Sequence, residues 1–263
     1  MSYETITYKV ATDGVGHLRL NRPNGANAVS ELFSRELFDA MVEIEFDDSV
    51  RAVSVTAEGK VFCAGGDLKE FHGKGADLPR HGAKMLADFH AAIYKMNRMP
   101  KPFVAGVRGS AGGAGLSFVG AFDLVISGES SMYTMAYTRA GMTPDGTSSY
   151  FIGRHIGLRR MLDLTLTNRV LDAATAESWG LVNRVVPDEE VDQATADLAA
   201  ELAAGAPFAV GNAKTVIYNG FEHQLEPAGE FEGAMIAAAM GTNDGQEGIA
   251  SFVEKRAPTW TGT

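Results

Sequence analysis

Phe62-Cys63-Ala64-Gly65-Gly66-Asp67-Leu68-Lys69-Glu70 carries the deciding signal for the fold. Upstream, the β-branched run Arg51 to Thr56 predicts a buried strand. Downstream, Met85, Phe89, Ile93 and Met96 recur at helical spacing and predict an amphipathic helix over 82–97. A second unit has the same order. Phe103 to Val107 predicts a strand, which runs into Gly109-Ser110-Ala111-Gly112-Gly113-Ala114-Gly115, an apolar stretch through Phe122, and a further strand over 123–127. Strand, glycine loop and helix in succession indicate an α/β architecture. Where a loop enters a helix, free N–H groups point outward and the helix dipole favours negative charge. Two such groups converging on one point form an oxyanion hole, worth about 3–4 kcal/mol per donor. The plainer reading of the same glycines is tight turns and close packing. A dinucleotide loop is disfavoured, since neither GxGxxG nor GxxxxGK[ST] occurs.

Outward from these loops, Ile6, Tyr8 and Val10 alternate with polar residues, as do Leu18 and Leu20. Thr12-Asp13-Gly14 supplies the turn between these two strands. Asn21 to Gly25 ends the second, and Ser30 is a suitable N-cap for a helix carrying Leu32, Phe33, Leu37 and Met41. Beyond about residue 155 helical patterns dominate: 157–168, 173–179, 188–204, 206–219, 225–240 and 245–256. The change of texture divides the chain into an α/β core, 1–203, and a helical C-terminal region, 204–263.

The chain has 263 residues, 45% of them hydrophobic, enough for one sizeable core. Its formal net charge of −10 argues against nucleic acid and anionic membranes as partners, but leaves room for a phosphate-bearing ligand held by local basic groups and helix N-termini. One cysteine, Cys63, permits no internal disulfide. The opening residues show neither a basic n-region nor an apolar h-region, and no apolar run reaches about 18 residues; a cytoplasmic location is the expectation.

Several segments, in order, resemble the crotonase (enoyl-CoA hydratase/isomerase) superfamily over essentially the whole chain. They are Leu20-Asn21-Arg22-Pro23, Phe62 to Glu70, Gly109 to Gly115, Leu166-Thr167-Asn168-Arg169, Trp179 to Pro187 and Phe252-Val253-Glu254-Lys255-Arg256. The resemblance implies a ββα spiral core with a C-terminal helical trimerisation region, an acyl-CoA thioester as substrate, no cofactor beyond the coenzyme A of that substrate, and a homotrimer or dimer of trimers. It also implies an oxyanion hole formed by the N–H groups of Gly66 and Ala114, the latter usually glycine in the family. CoA contacts are implied at Asn24, Gly25 and Ala26, at Ala64, Asp67 and Leu68, and at Lys69 and Lys255.

The acid–base residues depart from the hydratase pattern. Where hydratases of the superfamily carry two glutamates, this chain has Ser117 and Tyr137. Syn addition of water needs groups that hold and deprotonate it, and a tyrosine titrates near 10, so efficient hydration is not expected. A carboxylate does occur at Asp145, which on local grounds reads as a helix N-cap. The stretch Tyr133 to Tyr150 is similar to phenylacetyl-CoA-pathway isomerases, which implies that Asp145 shuttles a proton along the acyl chain. His90, whose plainer reading is structural, matches the general base of chlorobenzoyl-CoA dehalogenases, in which an aspartate at the Asp145 position is the nucleophile and an aromatic residue stands at the Tyr137 position. The isomerase is the favoured expectation; the alternatives are an enoyl-CoA hydratase, a dehalogenase- or thioesterase-type enzyme with Asp145 as nucleophile and His90 as base, and a non-catalytic acyl-CoA binder. His17, His72, His81, His155 and His223 show no metal-ligand spacing, and no catalytic metal is expected.

Overall fold

The computed structural model describes residues 2–263. In chain order it contains β1 (Ile6–Val10), β2 (Val15–Leu20), α1 (Glu31–Glu45), β3 (Ala52–Ala57), α2 (Leu68–Lys74), α3 (Leu78–Arg98), β4 (Phe103–Val107), β5 (Ser110–Gly112), α4 (Ala114–Gly120), β6 (Leu124–Gly128) and β7 (Met132–Thr134). There follow α5 (Ser148–Ile156), α6 (Leu158–Leu166), β8 (Val170–Asp172), α7 (Ala173–Trp179), β9 (Arg184–Val186), α8 (Val191–Ala203), α9 (Pro207–Glu222), α10 (Leu225–Met240) and α11 (Asn243–Glu254). The main sheet has the order β1-β2-β3-β4-β6-β9, with β1 antiparallel to β2 and every other pair parallel. A second sheet joins β5, β7 and β8.

The parallel strands are apolar because both faces of the sheet are covered. All five residues of β4 are buried. α1 and α3 pack together with one large cluster that includes Phe33, Leu37, Phe89, Ile93 and Phe103. α8 closes the opposite face over Val15, Ala52 and Val104. Ser30 caps α1 as its sequence position predicts, accepting from the Phe33 N–H.

The structure corrects one reading of the chain and adds to another. The stretch expected to be a glycine loop over 109–115 contains β5, which pairs with β7. The stretch beyond 155, where helical patterns dominate the sequence, also contains β8 and β9, and β9 pairs with β6 to extend the main sheet. Each of these strands is three residues long, too short to show a period of two.

α9 is fastened to the core by a buried ion pair. Lys214 Nζ lies 2.9 Å from Asp123 Oδ2 and donates to the carbonyls of Met96 at 2.7 Å and Lys101 at 3.1 Å. Burial pulls the Lys214 pKa down, against the pull of Asp123. α10, by contrast, has no buried residue. Removing one partner from a buried pair strands the other charge, at a cost of about 3–5 kcal/mol. Lys214→Met is expected to lower the free energy of unfolding by about 3 kcal/mol, measured by urea denaturation, with the loss concentrated in the docking of α9. No helix among the described residues is long and apolar enough to cross a membrane.

Candidate active site

The two glycine loops lie side by side. Gly112 donates its N–H to the Cys63 carbonyl at 3.0 Å, and Cys63 donates to the Ser110 carbonyl at 3.2 Å. The approach is close enough to exclude side chains. A Cβ at Gly65 (φ 108°) would fall 2.8 Å from the Gly112 oxygen, and one at Gly115 would fall 2.2 Å from the Cys63 oxygen. Glycine is therefore required on both sides of the contact.

The orientation of Gly66 follows from its neighbours. The Gly65 carbonyl accepts from Val29 N–H at 2.8 Å, and Asp67 N–H donates to the Val29 carbonyl at 2.9 Å. In extended backbone successive N–H groups alternate in direction, so the Gly66 N–H faces away from Val29. It donates to no protein acceptor among the described residues. Ala114 is the first residue of α4, where N–H groups have no helical partner, and its N–H is likewise free. Gly66 and Ala114 line one cavity of about 560 Å³.

The cavity wall is otherwise apolar, formed by residues such as Val29, Phe71, Leu78, Met85 and Phe89. Asp145 is the only carboxylate facing it among the described residues. Asp145 does not cap a helix through its side chain: α5 starts at Ser148 behind Thr147. Its carboxylate instead meets His90, with Nε2 2.8 Å from Oδ1. The local N-cap preference yields to a partner 55 residues away, and His90 stands in direct contact with the carboxylate while remaining partly exposed. His90 does not line this cavity. It faces a neighbouring one of about 610 Å³ with Tyr94, Asn97, Tyr150 and Asn219, and Asp145 stands in the wall between the two.

Ser117 and Tyr137 occupy the rear of the site as a neutral pair. Their hydroxyls are 2.9 Å apart, Ser117 donates to the Gly113 carbonyl at 3.2 Å, and the Tyr137 hydroxyl also lies 3.3 Å from the Asp145 carbonyl. Burial, reinforced by the Asp145 charge, drives the Tyr137 pKa far above its usual value. Tyr137 is thus a fixed hydroxyl that positions the Asp145 segment and is no base near neutral pH.

Of the other residues singled out in the sequence, Ala64 and Leu68 line the cavity. Ala26 accepts from the Ala64 N–H at 3.0 Å, which sets the turn carrying Asn24 and Gly25 beside the first glycine loop. The Asp67 carboxylate is engaged inside the protein: it caps α2 through Glu70 N–H and pairs with Arg22 at 2.7 Å. Burial opposes its ionisation, but these partners hold its pKa below the usual carboxylate range. Lys69 and Lys255 are exposed and line neither cavity. Met85, Phe89 and Met142 line the site, Met135 is core, and Tyr150 belongs to the neighbouring cavity. Phe71 had no signal in the sequence. Its ring lies over Gly66, where an added Cβ would meet Cε2 at 2.7 Å.

Residues 11–263 match the family described as Enoyl-CoA hydratase/isomerase. The chain is 35% identical over 245 residues to 4-chlorobenzoyl coenzyme A dehalogenase-2 of an Arthrobacter species, covering 93% of this chain and 89% of that one. It is 30% identical over 253 residues to 1,2-epoxyphenylacetyl-CoA isomerase of Escherichia coli, covering 95% of each. The crystal structure of enoyl-CoA hydratase from Bacillus anthracis superposes with a TM-score of 0.93 at 30% identity, covering 99% of this chain and 100% of that one.

Proposed function

The chain belongs to the enoyl-CoA hydratase/isomerase family, as an enzyme acting on acyl-CoA, and from that membership we propose that it shifts a carbon–carbon double bond along the acyl chain of an enoyl-CoA. One observation carries this reading. Among the described residues a single carboxylate, Asp145, faces the cavity lined by Gly66 and Ala114, whose N–H groups have no protein acceptor. Asp145 removes a proton alpha or gamma to the thioester carbonyl and returns it to the other carbon. Between these steps the thioester oxygen carries the negative charge, and the two amides stabilise it by about 3–4 kcal/mol each. Hydration would need a second acid–base group over the same cavity, and the Ser117–Tyr137 pair does not supply one. The turn 24–26 beside Ala64, with Asp67 organising the loop, is the proposed seat of the CoA moiety, and Lys69 and Lys255 are its proposed phosphate contacts. The exposed apolar side chains of α9 to α11, among them Phe221, Leu225, Phe252 and Val253, support burial in a homotrimer or dimer of trimers.

The 2.8 Å contact between His90 and Asp145 supports a second reading. Asp145 would attack an electrophilic carbon of the acyl group, forming a C–O bond as a leaving group such as halide departs. Water, losing its proton to His90, would then attack the Asp145 carboxyl carbon and free the hydroxylated product. Labelling separates the two chemistries. Incubation of a 3-enoyl-CoA in D₂O is expected to give the shifted alkene with deuterium at the alpha or gamma carbon. Displacement of a halogenated aromatic acyl-CoA in H₂¹⁸O would instead place ¹⁸O in the Asp145 carboxylate after one turnover. An unchanged alkene together with labelled Asp145 would replace the isomerase reading by the second.

A further inference from the structure

Glu31 on α1, Glu70 on α2 and His81 on α3 meet at one point, although no two of them are close enough in sequence to suggest a motif. One ligand atom from each lies within 4.8 Å of the other two. His81 is almost wholly enclosed, its side chain 5% exposed. Its Nε2 is 3.0 Å from Glu70 Oε1, and Nδ1 is 3.4 Å from Glu31 Oε2. The approach to Glu70 is short but misaligned for a ring N–H, and Nε2 has no hydrogen-bond partner. A buried imidazole nitrogen without a partner is costly. Two ligands bound at about 2.1 Å on a tetrahedral metal stand about 3.4 Å apart, so Nε2 and the Glu70 oxygen, 3.0 Å apart here, need to open by only a few tenths of an ångström to take a cation between them.

We propose that Glu31, Glu70 and His81 form a binding site for a first-row divalent cation of the Zn²⁺ type. One imidazole and two carboxylates suit such metals better than Ca²⁺ or Mg²⁺, which prefer all-oxygen shells. Two carboxylates and a neutral imidazole would compensate the dipositive charge in this enclosed position. Lys84, which pairs with Glu31 at 2.7 Å, is 71% exposed and free to swing away, and Lys74 lies 3.9 Å from Glu70. The cation would tie together three helices, two of which wall the acyl cavity. The Phe71 ring packs edge-on against His81 at 6.4 Å and also covers Gly66, so the tie acts one aromatic ring away from an oxyanion donor.

The test uses the full, untagged chain after removal of metal by a chelator, titrated with Zn²⁺ in a calorimeter and with Co²⁺ by visible absorption. One Zn²⁺ per chain is expected. Glu70→Gln and His81→Gln, shown by circular dichroism to be folded, are each expected to weaken binding by about 100-fold or more, because loss of even the outer partners of metal ligands costs 10–100-fold. Lys84→Ala, at an exposed position, is expected to tighten it several-fold by removing the competing ammonium. Absence of saturable Zn²⁺ binding, or unchanged affinity in both Gln variants, overturns the site. The readout is independent of any acyl-CoA turnover, so its failure leaves the isomerase reading where it stood.

Discussion

Asp145→Asn is expected to lower kcat for double-bond migration by about 10²–10⁴-fold, the contribution of a positioned acid–base group, while acyl-CoA affinity stays within a few-fold of the parent. The substitution keeps the shape of the side chain. An asparagine oxygen still accepts from His90, so the 2.8 Å contact need not be lost and no buried group is orphaned. The Gly66 and Ala114 amides, the proposed donors to the thioester oxygen, are untouched by the substitution. Steady-state kinetics with a 3-enoyl-CoA, paired with calorimetric binding of a saturated acyl-CoA, separates the two quantities. Parental kcat in this variant would remove Asp145 from the chemistry. His90→Gln adds the discrimination that Asp145→Asn lacks. A proton shuttle survives it with modest loss, whereas a displacing enzyme would stall with its acyl group esterified to Asp145, visible as a mass increase of the intact chain.

Gly115→Ala is expected to destabilise the fold by about 3 kcal/mol or more, at or beyond the upper end of ordinary overpacking. The added carbon would lie 2.2 Å from the Cys63 oxygen and 2.8 Å from the Cys63 carbonyl carbon and Cβ. These are mostly backbone atoms fixed by the Cys63–Ala111 bridge and cannot rotate away. The loops would have to separate, carrying Gly66 away from Ala114, so activity should fall together with stability. Ala114→Gly, one residue earlier, is the matched control: it removes a carbon at the head of α4, costs about 1 kcal/mol in helix propensity and leaves the N–H in place. Urea denaturation of both variants decides the matter. A Gly115→Ala protein as stable as its parent would contradict the packing of the two loops.

What could be read in the chain was what is local. The runs 51–56 and 103–107, each followed by glycine and then by helical spacing, identified both loop-to-helix junctions, because strand and helix impose different periods on the same hydrophobic residues. Ser30 identified the start of α1 for the same kind of reason. What could not be read depends on distant partners. β5, β7, β8 and β9 exist because neighbours from elsewhere pair with them. Asp145 has the local features of a helix cap, and only the fold brings it to His90. The Glu31, Glu70 and His81 cluster is likewise built by three helices converging, with no fixed spacing to betray it. The roles of Gly66 and Ala114 came from resemblance. The residues alone left simple turns equally open.

The groups that would receive the thioester's negative charge are amides of the main chain. Mutation at positions 66 and 114 can alter bulk or strain there, but short of proline it cannot delete a donor. The costly part of the proposed site is thus sheltered from drift, while the side chain proposed to choose the reaction, Asp145, stands on the stretch between β7 and α5. A lineage with this arrangement can change what it catalyses by relocating one carboxylate, and engineering of this protein should begin at 137, 145 and 117 rather than at the loops.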